Sequence, residues 1–377
     1  MFGKDLMFAS GFPQRRGAGV KRVDGDFHSQ ETIDPLQWLS CYPPYGRYGF
    51  SSGRLHQTLE ERPVANVAQS VPRYEHLQGD FNVSGGSLLL RGNAPLRRLL
   101  QRCYEHLLTV RMPRLEEMPV YEMDDWNRHM ARVKPSLPAT EFELLDKFKP
   151  SMTAQEQRFI MFAMLSATQA MTAFNITHLV RGGSLIGYWR HHGRMPWDED
   201  IDILVDSTQW QLARKVLSCL PDLELNMWKL FHKDATLWKN EKFIKFPYVD
   251  LFLYRADEDH VWPLTIWMKM ITMKRANSLP PKQGIFEGWP ISIPHRPADV
   301  LRELYPGRIM SDCYSQIFHR RARERVPHKQ RIYIPCSMLR GIYPLVVRRL
   351  DGGGVVEERR LGSKLSTFNT SYNGFLE

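Results

Sequence analysis

Residues Val180 to Asp206 read VRGGSLIGYWRHHGRMPWDEDIDILVD, and the periodicity changes twice within that stretch. Its start completes a short apolar run, HLVRG, which predicts a strand ending at the Gly182-Gly183 pair. SLIGYWRHH then turns back as a helix, and IDILVD alternates apolar and acidic residues with the period of two that a strand requires. Strand, glycine turn, helix and second strand in that order predict an α/β (α+β) domain. With Ile201, Ile203 and Leu204 in a strand, Asp200 and Asp202 project from one face. Two carboxylates so placed are hard oxygen donors suited to Mg2+ or Mn2+.

Working outward, Thr153 to Phe174 carries apolar residues at helical spacing (Phe159, Phe162, Ala163, Leu165, Ala170, Phe174). Thr153 and Glu156 there form the S/T-x-x-E pattern of a capping box. Downstream, STQWQLARKVLSCL predicts a helix with Ser207 as N-cap, and strands are expected at Lys242 to Phe246 and Val249 to Tyr254. Asp250 stands alone among Val249, Leu251, Phe252 and Leu253; an isolated acid in an apolar strand needs a buried partner, which makes it the third candidate metal ligand. Gly182, Gly183 and Ser184 open onto a helix N-terminus, where amides and the helix dipole favour a phosphate.

Each feature alone has a plain reading: acid clusters are mostly solvated faces, and a GGS is mostly a turn. Their order in one segment carries the metal-site reading. Arg181, Arg190, Arg194, Lys242 and Lys245 are cations that can meet donor phosphates, although any one of them taken alone reads first as surface charge. Arg190 and Lys245 lead, the first lying between the glycine turn and the acids and the second sharing an expected hairpin with Asp250. His191 and His192 read as loop residues more readily than as metal ligands or a general base. Tyr188, Trp189 and Trp197 either stack on a base or pack the core.

The whole chain has 377 residues, 43% of them hydrophobic, and a net charge of +10, which suits a large globular core and a partner bearing negative charge. Residues 1–135 form an irregular Pro/Gly/Arg-rich region expected to be only partly ordered, apart from a helix over Pro95 to Leu108. A catalytic domain is expected over 150–325, and 326–377 as a partly disordered extension. The basic run Arg320 to Arg325 reads by default as a solvated helix end or tail. The odd set Cys41, Cys103, Cys219, Cys313 and Cys336 indicates neither a dense disulfide framework nor a zinc ribbon. A zinc site of Cys313, His319, His328 and Cys336 matches no compact finger. The opening residues do not resemble a signal peptide, and the longest apolar stretch, Phe159 to Ile176, is short and polar for a bilayer span.

RGGSLIGYWRHHGRMPWDEDIDILV resembles the signature of the LicD family, to which fukutin and fukutin-related protein belong. That signature runs G-[GST]-x-L-[LI]-G, a variable basic or aromatic patch, then [IVM]-P-W-D-x-D-[IV]-D, and Gly182 to Asp202 fill every part of it. YVDLFLY resembles the family's second acidic strand and GWPISIPHRPADVLRELYPG its closing segment, so the likeness spans about Phe159 to Gly307. The resemblance implies a nucleotidyltransferase-like fold related to DNA polymerase β, a mixed sheet flanked by helices. It implies Asp200, Asp202 and Asp250 as Mg2+ (or Mn2+) ligands, Gly182, Gly183 and Ser184 on the donor phosphates, and Asp198 as a carboxylate that either supports those ligands from behind or lies on the acceptor side. The activity implied is transfer of a phospho-alcohol, such as phosphocholine or ribitol phosphate, from a CDP-activated donor to a glycan or glycoprotein hydroxyl. No nucleic-acid partner is expected. Nucleotidyl transfer to a protein, RNA or small acceptor, and a non-catalytic phospho-ligand module, are the alternatives. Eukaryotic members are membrane-anchored Golgi proteins, which implies the Golgi; the lack of a visible anchor leaves a cytoplasmic location open.

Overall fold

Two short helices, α1 (Met123–Val133) and α2 (Ala139–Leu145), precede a long one, α3 (Ala154–Ala173). The computed structural model describes residues 103, 105–238, 242–265, 271–305, 312–351, 354–365 and 370–372. Most of the region 1–135, and with it most of the helix expected over Pro95 to Leu108, lies outside the described residues. Helix α1 falls within a stretch read as irregular: of MDDWNRHMARV only Trp126 and Met130, one turn apart, are buried. The capping box opens α3 as expected, with Thr153 accepting from the Glu156 amide and the Glu156 carboxylate accepting from the Thr153 N–H at 2.8 Å. Phe159 through Ala163 are buried in succession, so α3 is enclosed rather than amphipathic.

The sheet beneath it is built from β1 (His178–Val180), β2 (Ile201–Asp206), β3 (Leu223–Asn226), β4 (Lys229–His232) and, after the small hairpin β5 (Thr236–Leu237) with β6 (Lys245–Phe246), the central β7 (Val249–Ala256). The strand order is β1-β2-β7-β4-β3; β2 and β7 are parallel and the other pairs antiparallel, so the sheet is mixed. Strands β8 (His260–Pro263) and β9 (Met273–Lys274) extend it along the far half of β7. Between β1 and β2 runs α4 (Gly182–His191), and between β2 and β3 runs α5 (Trp210–Leu217). Ile203, Leu204 and Val205 are fully buried, because this central strand is covered on both faces. The mixed α/β architecture is therefore the one read from the order of elements.

Two local expectations fail. Ser207 is not the N-cap of a helix: the Asp206 carboxylate accepts from the Thr208 amide at 2.8 Å and opens a 3-10 turn, and α5 begins only at Trp210. Lys245 does not share a hairpin with Asp250, since β6 pairs with β5. Of the strand expected at Lys242 to Phe246 only Lys245–Phe246 forms, and Pro247 and Tyr248 separate it from β7.

Beyond α6 (Arg275–Ser278), hairpin β10 (Lys282–Phe286) with β11 (Trp289–Ile293), and α7 (Pro297–Leu304), the chain adds β12 (Asp312–Tyr314), hairpin β13 (Phe318–His319) with β14 (Glu324–Arg325), β15 (Tyr333–Pro335), and hairpin β16 (Leu345–Asp351) with β17 (Gly354–Leu361). Pairing of β12 with β15 sets Cys313 and Cys336 4.9 Å apart at Cα, and they form a disulfide. That bond uses both sulfurs, so Cys313 and Cys336 are not free to hold a zinc ion. A second disulfide joins Cys103 to Cys219 with a Cα separation of 6.3 Å.

Hairpin β16–β17 packs on α4 through buried charge. The Arg348 guanidinium lies 3.4 Å from the Trp189 ring centroid and donates to the Trp189 carbonyl, while Glu357 accepts from Arg348 Nε at 2.6 Å and from His192 Nε2 at 2.8 Å. Burial acts to raise the Glu357 carboxyl, but the bonds from His192 and Arg348 outweigh it and hold it below the usual range. Glu357→Gln should therefore lower stability by about 3 kcal/mol, as breaking a buried ion pair does. Urea unfolding of the two proteins measures it, and an unchanged midpoint would show that the cluster contributes nothing. Among the described residues no helix is long and apolar enough to cross a membrane.

Candidate active site

Strand register assembles the acids. In the parallel pair β2·β7, Asp202 stands directly opposite Asp250, and in the antiparallel pair β7·β4, Asp250 stands opposite Lys229. Residues in register on one face of a sheet point the same way, so carboxylate, carboxylate and ammonium form a row across three strands. Asp200 precedes β2 by one residue and completes the cluster: carboxylate oxygens of Asp200, Asp202 and Asp250 lie within 4.8 Å of one another. Lys229 Nζ binds Asp250 Oδ1, the buried partner that an acid in an apolar strand requires.

Helix α4 begins against this row. Gly182 adopts φ +56°, a left-handed conformation, and a Cβ there would lie 2.6 Å from Asp202 Oδ2. At Gly183 a Cβ would lie 2.6 Å from Asp198 Oδ2. Both glycines thus leave space that carboxylates occupy. Ser184 Oγ accepts from the Asp202 amide at 2.8 Å, tying the first turn of the helix to the acidic strand.

The electrostatics are those of carboxylates crowded out of water. Burial, then the charge of Asp200, pushes the Asp202 carboxyl up to about 7; Arg181 and Arg320 oppose the shift without cancelling it. Asp198 is raised well above its ordinary value by burial, by Asp200's charge and by a hydrogen bond shared with Asp200. Burial raises Asp250 too, against the pull of Lys229. Burial lifts the Tyr305 phenol to about 12, with Arg181 acting the other way and Asp202 adding to it. Asp202 Oδ1 is buried with no hydrogen-bond partner. Three hard oxygen donors, one of them orphaned, in a site that disfavours bare carboxylates, fit a divalent cation.

Other residues named from sequence go elsewhere. Arg190 is buried and donates to the Asp312 carbonyl, joining α4 to β12. Lys245 Nζ pairs with Glu224 and with the Lys233 carbonyl. Arg194 is buried, donating to the Asp198 carbonyl at 2.8 Å and to Gln157 at 2.8 Å, so it shapes the acidic loop through the backbone. His191 binds the Pro344 carbonyl and His192 binds Glu357; Tyr188, Trp189 and Trp197 are core. Two cations at the acids were missed as site residues. Lys229 became visible only through register, and Arg320, from the run read as a tail, pairs with Asp200.

The fold and site thus define a mixed α/β domain in which three strand-borne carboxylates, close enough together to hold a metal ion, face a glycine-started helix. Residues 175–296 match the family model described as LicD/FKTN/FKRP, nucleotidyltransferase domain. The lipopolysaccharide cholinephosphotransferase LicD of Haemophilus influenzae is 34% identical over 61 residues, 16% of this chain, and the chain spans 23% of the length of that relative. The segment 175–296 thus belongs to the LicD family, and Gly182, Ser184, Asp198, Asp200, Asp202 and Asp250 all fall inside it.

Proposed function

We propose that this chain is a divalent-cation-dependent phosphotransferase that moves a phospho-alcohol, such as phosphocholine or ribitol phosphate, from a CDP-activated donor to a glycan hydroxyl. The observation that carries this reading is the in-register row of Asp202 and Asp250, completed by Asp200, at the N-terminus of α4. Mg2+ or Mn2+ held by these carboxylates would neutralise charge on phosphate oxygens. The chain's own contributions surround that ion. The first turn of α4, where Gly182 and Gly183 let the Asp202 and Asp198 carboxylates approach, offers amides and the positive end of its dipole to the donor phosphates. Asp198, whose carboxyl is buried and holds its proton above the usual range, is placed beside Gly183 to take or hold the proton of an acceptor hydroxyl. Two disulfides support an oxidising compartment such as the secretory lumen, where a glycan acceptor is found.

Turnover assays with CDP-choline and CDP-ribitol, Mn2+ and a glycan acceptor test the reading by product mass. Gain of the phospho-alcohol supports it. Gain of a nucleoside monophosphate would instead establish nucleotidyl transfer, and no covalent product with any donor would leave a binding module.

The raised Asp202 carboxyl adds a pH dependence. The native state keeps this proton up to about pH 7, whereas the unfolded chain releases it near the ordinary carboxylate value. Native stability at this group is therefore lost as pH rises across that window. A cation bound to the ionised carboxylate restores it, so Mn2+ should raise the unfolding temperature more at about pH 8 than at about pH 6. Thermal scans at both values check this; an equal shift would mean that Asp202 does not exchange a proton for the metal.

A further inference from the structure

We infer that Arg320 is the resident counter-ion of the acid cluster, exchanged for a divalent cation on loading and released to the phosphate of the incoming ligand. This rests on the cation reading of Asp200, Asp202 and Asp250. Arg320 lies outside the residues matched to the family, in the turn joining β13 to β14. Its guanidinium pairs with Asp200 Oδ2, one of the carboxylates of the candidate site.

The turn is held without that side chain. Trp238 Nε1 donates to the Arg320 carbonyl at 2.7 Å, the Arg321 amide donates to Glu199 Oε2 at 3.2 Å, and the Arg321 guanidinium pairs with Glu156. Two of these contacts fix the backbone of the turn and the third anchors the neighbouring Arg321 side chain, while the Arg320 side chain remains 32% exposed. Charge favours exchange. The carboxylates of Asp198, Asp200, Asp202 and Asp250 face Arg181, Lys229 and Arg320, and Lys229 is committed to Asp250 in strand register. A divalent ion that takes Asp200 as ligand competes with Arg320 for the same carboxylate and is repelled by its charge at close range. Displaced by a few ångströms from a clamped turn, a guanidinium stays beside the cluster, where its forked donors match a phosphate.

Calorimetric titration of Mn2+ into the wild type, Arg320→Gln and Arg320→Lys, followed by CDP at saturating Mn2+, tests the exchange. The Gln variant should bind Mn2+ about tenfold tighter, and CDP about tenfold more weakly, than the wild type. The Lys variant, which keeps the charge, should stay nearer the wild type in both. Opposite signs are the mark of exchange, because a residue that merely orients Asp200 would weaken both ligands when removed. Mn2+ affinity that is unchanged or weaker in the Gln variant, with an unfolding midpoint like that of the wild type, overturns the inference while leaving the cation site standing. A wild type that binds no Mn2+ removes the cation site, and the inference with it.

Discussion

Asp202→Asn is expected to lower turnover about 1000-fold or more while raising the stability of the metal-free protein. The first effect follows from losing one of the three proposed anionic ligands: charge stabilisation by a bound cation is worth several kcal/mol, and each 1.4 kcal/mol is tenfold in rate. The second follows from the sign of the Asp202 shift. Burial and Asp200 together outweigh Arg181 and Arg320, so the ionised form is a net cost to the fold above about pH 7. Asn has the same shape without the charge, still fits against Gly182, and retains the backbone bond to Ser184. A gain of about 1 kcal/mol, or about 2–4 °C, is expected at neutral pH or above. Turnover and a thermal scan on one preparation separate the possibilities. Retained turnover removes Asp202 from the chemistry, and a midpoint lowered by several degrees would mean that its charge is structural.

The same residue shows what a sequence can disclose about such a site. Asp200 and Asp202 were legible because period-two alternation is a local property, and Asp250 because a charge in an apolar strand has to be answered. What answers it was not legible. Lys229 reaches Asp250 because β4 runs antiparallel to β7 in one particular register, and nothing in WKLFH specifies that register. Arg320 was hidden for a related reason. A run of arginines has the composition of a solvated tail, and only the docking of its turn by Trp238 and Glu199 brings one of them to the acids. Arg190 and Lys245 misled in the opposite sense: both stand close to the acids in sequence, yet one is spent on the Asp312 carbonyl and the other on Glu224. Proximity along the chain orders elements well. It assigns long, flexible side chains poorly, because their partners are chosen by tertiary packing.

Gly182→Ala should cost both stability and metal affinity, by two mechanisms that a second variant separates. At φ +56° an alanine pays about 1 kcal/mol or more for the left-handed conformation. Its Cβ would also sit 2.6 Å from Asp202 Oδ2, closer than any ordinary contact, so the carboxylate must turn away from Asp250 or the helix must shift. Displacing a ligand in this way resembles the loss of a supporting group, which lowers metal affinity by about 10- to 100-fold. Gly183→Ala provides the comparison. Its backbone is free of positive φ, and its Cβ would press on Asp198 Oδ2 at 2.6 Å instead. That variant should keep Mn2+ affinity within about threefold of the wild type yet lose turnover, since the proposed mechanism gives Asp198 to the acceptor hydroxyl and not to the cation. Mn2+ titrations of both variants alongside thermal scans decide the matter. If Gly182→Ala binds Mn2+ as the wild type does, the glycine serves the turn alone, and the close approach of Asp202 to the helix N-terminus has no part in holding the ion.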